Sequence, residues 1–273
     1  MRVTVWGERF LEGESLPGRP APILYAGYID EARRIYPDDV HEAIASGLRG
    51  LLDEEDVVVT ATLDDPGHGL TDEVLDATDV LVWWSHVKHV LVSDEEAERV
   101  CRRIIDHGMG LIMLHAGTGS KVFHSLMGTS CGAGGLRQGD DWEALWTVMP
   151  SHPIASGIDP VVVIPREEMF CEYFDVPTPD EVVFISTFKG GEVFRSGCCF
   201  TRGKGHIFYF RPGHESHPTY HHPAVQQILA SAARWACNDT PSRVNLAPRD
   251  TQDPDIAKQI LKPEGWFLPS PNA

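Results

Sequence analysis

The sequence predicts a doubly wound α/β fold, in which a mostly parallel sheet carries helices on both faces. Apolar runs rich in β-branched residues recur in the first half of the chain, at residues 3–6, 57–63, 80–84 and 111–115. These runs are apolar at consecutive positions, so both faces of each strand are expected to be buried. Buried strands that alternate with helix patterns form parallel βαβ units with a covered sheet.

The predicted helices of the first half have residues that start or stop a helix. The segment PDDVHEAIASGLRGLL has Asp38 or Asp39 as N-cap, followed by apolar residues at helical spacing. TDEVLDA predicts a short helix, and SDEEAERVCRRIIDHG predicts a longer one that begins after Ser93 and stops at Gly108. A glycine-rich bend after the fourth run leads into a further helix, SKVFHSLMG.

The second half departs from this alternation. Residues 128–180 are rich in Gly, Pro, Trp and acidic residues and have no long helical pattern, which predicts an insertion over the sheet. Apolar strands resume at 182–188. Residues 192–200 and 206–210 flank the turn TRGKG and predict a β-hairpin.

One domain and one tail are expected. The last helix, residues 223–237, begins with Pro223, whose fixed φ suits a first helical turn. Residues 1–237 are expected to form a single α/β domain, and the Pro-rich, polar residues 238–273 an extended tail. Such a tail wraps either the surface or a partner subunit, and the second alternative would make the protein a homo-oligomer.

The charge balance disfavours two classes of partner. The 273 residues include 23 Lys and Arg against 40 Asp and Glu, a formal net charge of −17. A surface so negative repels phosphate backbones and anionic lipids, so neither nucleic acid nor a membrane is expected as a partner. The N-terminus lacks the apolar core of a signal peptide, and the six scattered cysteines form no CxxC pair. We therefore predict a cytoplasmic protein with reduced thiols.

Polar residues follow several of the predicted strands. In an open α/β sheet, ligands bind outside the carboxyl ends of the strands. The candidate residues at these ends are Glu8, His86, His89, His115, Arg211, His214 and Glu215. Two histidines at HxxH spacing bind a metal only when a further ligand comes from elsewhere, and His214 is the candidate for that ligand.

Several other residues leave alternatives open. His221 is either a site residue or a loop residue, whereas His217 and His222 are expected to be ordinary loop residues. The stretch PREEMFCEYF contains three acids, Glu167, Glu168 and Glu172. Apolar neighbours can raise the pKa of a carboxyl group and suit it to acid–base chemistry, so one of the three is expected to be functional. The alternative is a solvated acidic patch.

Common catalytic motifs are missing from the chain. It contains no GxGxxG, no GxxxxGK[ST] and no G-x-S-x-G, so no motif indicates nucleotide phosphates or a serine nucleophile. The bend at 114–117 reads Leu-His-Ala-Gly, without Cys or Ser for attack. A nucleophilic mechanism at this bend is therefore not expected.

Stretches spread over residues 1–237 resemble the trehalose-utilisation (ThuA-like) family. In chain order they are VTVWGE, IYPDDVHEAIASGL, ATLDDPGHGLTDEVLDATDVLVWWSHVKH, LIMLHAG, KVFHSLMGTSC and the run from EEMFCEYF to ASAARWA. The resemblance implies a flavodoxin-like fold related to class I glutamine amidotransferases. It also implies a place in sugar catabolism, beside oxidoreductases that make 3-keto sugars.

The family pattern falls on residues that the strand ends had already indicated. Position by position, these are Glu8, His86, His89, His115, Glu168, Arg211, His214 and Glu215. The chain departs from the family in TSCGAGGLRQGDDWE, where glycines replace an aromatic residue and Gln138 stands near an expected acid. Amidotransferase activity does not carry over, because the bend at 114–117 lacks the nucleophilic cysteine.

The residues and the resemblance together favour a metal-assisted enzyme that acts on a small carbohydrate, an oxidised (3-keto) glycoside. Zinc is the expected ion because it suits neutral nitrogen ligands, and the predicted ligands are His86, His89 and His214. A 3-keto group acidifies the neighbouring C–H bond. A base, either Glu168 or His115, could therefore start an elimination, an isomerisation or a hydrolysis. The predicted substrate-binding residues are Glu8, Arg211, Glu215 and His221.

Two other functions compete with this one. A non-catalytic sugar- or metal-binding regulator on the same fold needs a concave polar site but no acid–base pair. A hydrolase of unoxidised glycosides needs two suitably placed carboxylates, for which Glu168 and Glu172 are candidates. The combination of Glu168 with His115 distinguishes the enzyme from the regulator.

Overall fold

The structure is a computed structural model that describes residues 1–9 and 23–237. The predicted tail, residues 238–273, and the subunit contact expected of it lie outside the described residues. The strands are β1 (Arg2–Gly7), β2 (Val57–Thr62), β3 (Val80–Trp84), β4 (Gly110–Leu114), β5 (Ala133–Thr147), β6 (Val161–Phe174), β7 (Glu181–Phe188), β8 (Val193–Arg202) and β9 (Gly205–Phe210). The α-helices are α1 (Ile23–Ile35), α2 (Val40–Arg49), α3 (Asp72–Asp76), α4 (Asp94–His107), α5 (Lys121–Met127) and α6 (Pro223–Ala236).

The strands form one nine-stranded sheet in the order β2-β1-β3-β4-β9-β8-β7-β5-β6. The first five strands of this order are parallel, and their order is that of flavodoxin-like folds. This confirms the predicted α/β class. The remaining neighbours pair antiparallel, so the sheet is mixed and the prediction of a mostly parallel sheet is not confirmed.

Both faces of the parallel strands are apolar and covered by helices. Consecutive residues of a strand point to opposite faces. On β1, Val3 and Val5 belong to a cluster with α2 and α6, whereas Trp6 belongs to a second cluster with α3, α4 and α5. The doubly wound arrangement follows from this alternation.

Residues 128–180 extend the sheet at one edge, whereas the sequence had suggested that they cover it. They contain β5 and β6, which form a long antiparallel hairpin, and β5 also pairs with β7. The β5–β6 register shifts between Arg137 and Asp141 and again before Glu143, which marks β-bulges. Glycines and acidic residues in β5 weaken the strand pattern, so the sequence did not reveal it.

The predicted turn and cap residues have the expected roles. The side chain of Asp39 accepts the Val40 N–H at the start of α2. Ser93 and Glu96 form a capping box at α4, which ends at Gly108 with φ 84°. β8 and β9 form the predicted hairpin. Among the described residues, no helix has the length and apolar character needed to span a membrane.

Candidate functional site

The carboxyl ends of β1, β3, β4 and β9 meet at one edge of the sheet, and predicted site residues are buried there. Relative exposures are 0% for Glu8, His115 and Arg211, and 1% for His214 and Glu215. Burying a charged group costs free energy unless it is paired and hydrogen-bonded. The partners of these side chains therefore determine what the site can do.

Strand β6 brings Glu168 to His115 at the end of β4. His115 has φ 47°, a left-handed conformation that is uncommon for non-glycine residues and concentrates at functional sites. Its Nδ1 lies 3.0 Å from the Arg211 carbonyl oxygen and therefore carries a proton. Its Nε2 lies 3.2 Å from Glu168 Oε2. Burial raises the pKa of Glu168, but the adjacent His115 outweighs burial and the pKa falls to about 2.

A second imidazole–carboxylate pair joins β3 to the loop after β9. His86 Nδ1 lies 2.6 Å from Glu215 Oε1. Burial lowers the pKa of His86, but the charge of Glu215 outweighs burial and raises this pKa to about 9. Burial acts on Glu215 in the opposite sense and is likewise outweighed by His86, so its pKa is lowered. Both members of this pair are ionised at neutral pH.

The ring of His214 lies between the two pairs. Its centroid is 5.0 Å from that of His86 and 5.5 Å from that of His115. Its Nδ1 lies 2.8 Å from Ser216 Oγ and accepts the Ser216 backbone N–H at 3.2 Å. Burial lowers the pKa of His214, so the ring is neutral at pH 7 and carries its proton on Nε2.

Glu8 holds the turn that follows β3. Its carboxylate accepts the backbone N–H groups of Val87, Lys88 and His89 at distances of 2.9, 2.8 and 3.1 Å. Burial raises its pKa to about 7, although these hydrogen bonds oppose the rise. Glu8 thereby fixes the backbone next to His86.

Glu167 holds the loop that follows β9. Its carboxylate accepts the N–H of Gly213 at 2.9 Å, the N–H of His214 at 3.2 Å and the hydroxyl of Thr219 at 2.7 Å. It therefore ties β6 to the loop that carries His214. The three acids of PREEMFCEYF thus differ in role, because Glu172 pairs with an arginine on β8 instead. The raised pKa expected of one of them is not found, since nearby cationic groups and hydrogen bonds outweigh burial and lower the pKa of all three.

Arg211 joins the two halves of the sheet beneath the site. Its Nη1 donates to the Glu168 carbonyl oxygen at 2.5 Å, and its Nη2 pairs with the buried Glu143 of β5. Its guanidinium also lies over the rings of Phe170 and Phe188. Sequence reasoning missed Glu143, and only the pairing of β5 with β6 and β7 brings it here.

Two predicted site residues lie apart from the two pairs. The ring of His89 packs against Gly119, and His89 belongs to no group of three ligand side chains within the described residues. His221 Nε2 lies 3.0 Å from the Ile35 carbonyl oxygen, and the ring stacks on Tyr36. His221 lines a separate polar groove of about 1190 Å³.

Two groups of side chains could each hold a metal ion, and they share His214. The first is His86, His214 and Glu215, and the second is His115, Glu168 and His214; within each group the ligand atoms lie within 4.8 Å of one another. Two imidazoles and one carboxylate form a ligand set of catalytic zinc. The first group leaves the pair of Glu168 and His115 available for proton transfer.

The first group fits a divalent cation in donor type and in surroundings. The Nδ1 of His86 faces one oxygen of Glu215 and that of His214 faces the Ser216 hydroxyl, so both rings are held in place. Glu215 Oε2 is buried and has no hydrogen-bond partner among the described residues. His214 Nδ1, which carries no proton, lies 3.7 Å from Glu215 Oε2.

A cavity of about 260 Å³ opens beside Glu168 and His214. It is lined by Glu31, Gln138, Gly139, Arg166, Glu168, His214, Ser216 and His217. Its volume corresponds to about nine water molecules at ~30 Å³ each, which suits one sugar ring. Gln138 and Gly139 belong to the bulged part of β5, so the segment that departs from the family pattern forms part of this wall.

A further imidazole–carboxylate–thiol group lies beside Trp235 of α6. It consists of His152, Glu181 and Cys199. His152 Nδ1 accepts the Ile154 N–H at 3.2 Å, and its Nε2 lies 3.0 Å from Glu181 Oε2. Both ring nitrogens are therefore hydrogen-bonded within the fold, and this group is structural.

A family model described as "Trehalose utilisation" matches residues 35–236. The chain belongs to the trehalose utilisation (ThuA) family. This membership associates the chain with carbohydrate utilisation. No curated protein matches its sequence.

Solved structures of ThuA-like proteins share the fold. The ThuA-like protein from Parabacteroides merdae is 13% identical with a TM-score of 0.57, over 89% of this chain and 91% of that one. The ThuA-like protein from Bacteroides uniformis is 14% identical with a TM-score of 0.54, over 86% and 90%. A cytoplasmic protein of Salmonella typhimurium LT2 is 11% identical with a TM-score of 0.54, over 86% and 99%. At these identities the similarity establishes the fold and not the activity.

Proposed function

We propose that this ThuA-family chain is an enzyme that removes a proton next to the keto group of an oxidised (3-keto) glycoside. The observation that carries the proposal is the buried pair of Glu168 and His115, of which Glu168 lines a cavity that suits one sugar ring. The family description, trehalose utilisation, supports a carbohydrate as the substrate. A cavity of this kind with an acid–base pair is the usual form of a small-molecule active site.

The proton transfer uses residues of this chain. A 3-keto group acidifies the C–H bond at C2, because the carbanion that forms is an enolate. Glu168 is ionised at neutral pH and accepts this proton, and His115 Nε2 lies 3.2 Å away and can share it. The bond from C1 to the glycosidic oxygen then breaks, and the same proton passes to the departing oxygen. The products are an alcohol and an unsaturated keto sugar.

The remaining site residues position this chemistry. A divalent cation held by His86, His214 and Glu215, zinc by its donor set, would polarise the keto oxygen. Glu8 and Glu167 hold the two loops that carry these ligands, and Arg211 fixes the backbone of Glu168. Both carboxylate oxygens of Glu8 and both terminal nitrogens of Arg211 already bond to the protein, which favours positioning roles over direct contact with the sugar.

Exchange of the C2 proton for deuterium tests the proposal. Methyl 3-keto-glucoside in D₂O is followed by NMR with the wild type and with Glu168→Gln, which keeps the shape but removes the base. Glu172→Gln is the matched control on the same strand, because Glu172 pairs with Arg195 at the surface. We expect Glu168→Gln to slow exchange about 10²- to 10⁴-fold, and the control to stay within about twofold of the wild type.

Two results would contradict the proposal. Exchange by Glu168→Gln at the wild-type rate would exclude Glu168 as the base. Binding of the sugar by the wild type without deuterium exchange and without release of methanol would favour a non-catalytic regulator. The metal is tested by elemental analysis of protein prepared without a His-tag, since His214→Ala should lose the ion that the wild type retains.

A further inference from the structure

His217 is a buried histidine that the acid–base chemistry does not use. Its relative exposure is 6%, and it lines the same cavity as Glu168 and His214. Its Nδ1 is buried and has no hydrogen-bond partner among the described residues. A buried polar atom without a partner costs about 1–3 kcal/mol, so a residue that has such an atom and lines a cavity has hydrogen-bonding capacity to offer a ligand there.

The backbone around His217 fixes the ring at the cavity wall. The His217 N–H donates to the His214 carbonyl oxygen at 3.0 Å, and its carbonyl oxygen accepts the Tyr36 hydroxyl at 2.6 Å. The rings of His214 and His217 lie 5.5 Å apart. The position of His217 is therefore set by two elements, and the ring belongs to the same wall as the proposed reaction centre.

The chemistry of this wall favours a hydroxyl group as the partner of His217. An imidazole nitrogen either donates or accepts, and a hydroxyl group can do both, so the two match in either tautomer. Ser216 stands next to His217 and also lines the cavity. A sugar ring brings several hydroxyl groups into a cavity of this size.

We propose that His217 is a substrate-binding residue that hydrogen-bonds one ring hydroxyl of the sugar, at a position other than the reacting carbons. This rests on the proposed function only in taking a sugar as the ligand. The residue determines which sugar binds, because a sugar without that hydroxyl leaves a buried nitrogen unpaired.

Equilibrium binding tests this role separately from catalysis. Methyl glucoside, which lacks the keto group and cannot undergo the reaction, is titrated calorimetrically with its 2-, 4- and 6-deoxy forms. The proteins are the wild type, His217→Leu, His217→Asn and His124→Leu. Leu fills the space of the ring without a polar atom, Asn restores a polar atom near the position of Nδ1, and His124 is an exposed histidine on α5.

One deoxy sugar is expected to bind the wild type about tenfold more weakly than methyl glucoside, as for the loss of one buried hydrogen bond. His217→Leu should lower the affinity for methyl glucoside by a similar factor. This variant should bind methyl glucoside and that deoxy sugar with equal affinity. His217→Asn should recover most of the affinity, and His124→Leu should match the wild type.

Two outcomes would overturn the inference. The first is that each deoxy sugar loses as much affinity, relative to methyl glucoside, in His217→Leu as in the wild type. The second is that the wild type does not bind methyl glucoside. Unfolding curves of the four proteins show whether a loss of affinity follows a loss of fold. Binding that depends on His217, without deuterium exchange on the keto sugar, would refute the proposed reaction and leave the sugar-binding role of His217 in place.

Discussion

Two buried carboxylates at the same edge of the sheet have opposite pKa shifts because their partners differ. Burial raises the pKa of both Glu8 and Glu168. Glu168 contacts an imidazole, which brings its pKa to about 2, whereas Glu8 contacts peptide N–H groups, and its pKa rises to about 7. The nearby imidazole thus keeps Glu168 ionised at neutral pH, whereas Glu8, which contacts only backbone N–H groups, is suited to holding the turn after β3.

The pair of His86 and Glu215 should make stability depend on pH on the alkaline side. The pKa of His86 rises from 6.5 to about 9 on folding, so its contribution is complete below pH 6.5 and is lost as the pH rises through 9. A shift of this size corresponds to at most about 3 kcal/mol. We expect the unfolding free energy of the wild type to fall by up to this amount between pH 6.5 and 9.5, relative to His86→Gln.

Urea unfolding at several pH values, with a chelator present, measures this difference. Glu8 and Glu143 have pKa values raised from 4.5 to about 7. Their contributions to the unfolding free energy are therefore lost mainly between pH 4.5 and pH 7, in the wild type and in His86→Gln. If the unfolding free energies of the wild type and His86→Gln change with pH in the same way above pH 7, the ion pair does not stabilise the fold.

Individual site residues were predictable where they follow a parallel strand. His115 comes directly after an apolar run, His86 and His214 follow theirs within four residues, and parallel strands end at a common edge. Glu143 was not singled out, and Glu167 was only one of three candidate acids, because the partners of both lie on distant segments. The bond from Arg211 to Glu143 spans 68 residues, and no local pattern connects the two.

At the scale of elements, the tight loop after β9 depends on a glycine. Gly213 has φ 138°, and a Cβ on it would lie 2.0 Å from the hydroxyl oxygen of Tyr220. Its N–H donates to Glu167, and its carbonyl oxygen accepts the Trp84 indole N–H at 3.2 Å. Gly213→Ala should therefore lower the unfolding free energy by about 2 kcal/mol or more and displace His214.

A second glycine serves as a control, because a side chain there would strain the backbone without causing a steric clash. Gly157 also has a positive φ, 75°, but a Cβ there would meet nothing within 4 Å. Gly157→Ala should lower the unfolding free energy by about 1 kcal/mol and leave the rate of deuterium exchange unchanged. Denaturant unfolding of both variants, combined with the exchange assay, measures the difference. Equal effects of the two substitutions on stability and exchange would show that the loop tolerates a side chain at Gly213.

Elements were predictable where hydrophobic periodicity and caps agree, as in α2 and α4. The hairpin of β5 and β6 was missed because strand pairing there is non-local and includes bulges. Gly134 illustrates the reason, since a Cβ on it would lie 2.3 Å from the Glu172 carbonyl oxygen. The glycines that weaken the strand pattern in the sequence are thus needed for close approach of the two strands.

At the scale of the whole molecule, one sheet separates two apolar clusters that should unfold together. Ile228 of α6 and Ile104 of α4 are both fully buried, one in each cluster, on opposite faces of the sheet. The central strands β4 and β9 contribute residues to both clusters, so neither face can open without exposing the other. This arrangement predicts that residues 1–237 behave as one cooperative domain.

Matched substitutions on the two faces test this cooperativity. Ile104→Ala and Ile228→Ala each remove the same atoms from a buried site and should each lower the unfolding free energy by about 2–5 kcal/mol. Because the sheet is shared, each variant should shift one common transition, with tryptophan fluorescence and far-UV circular dichroism giving the same midpoint. Two separated transitions in either variant would mean that the faces unfold independently, and that the parallel strands do not transmit stability between the two helical layers.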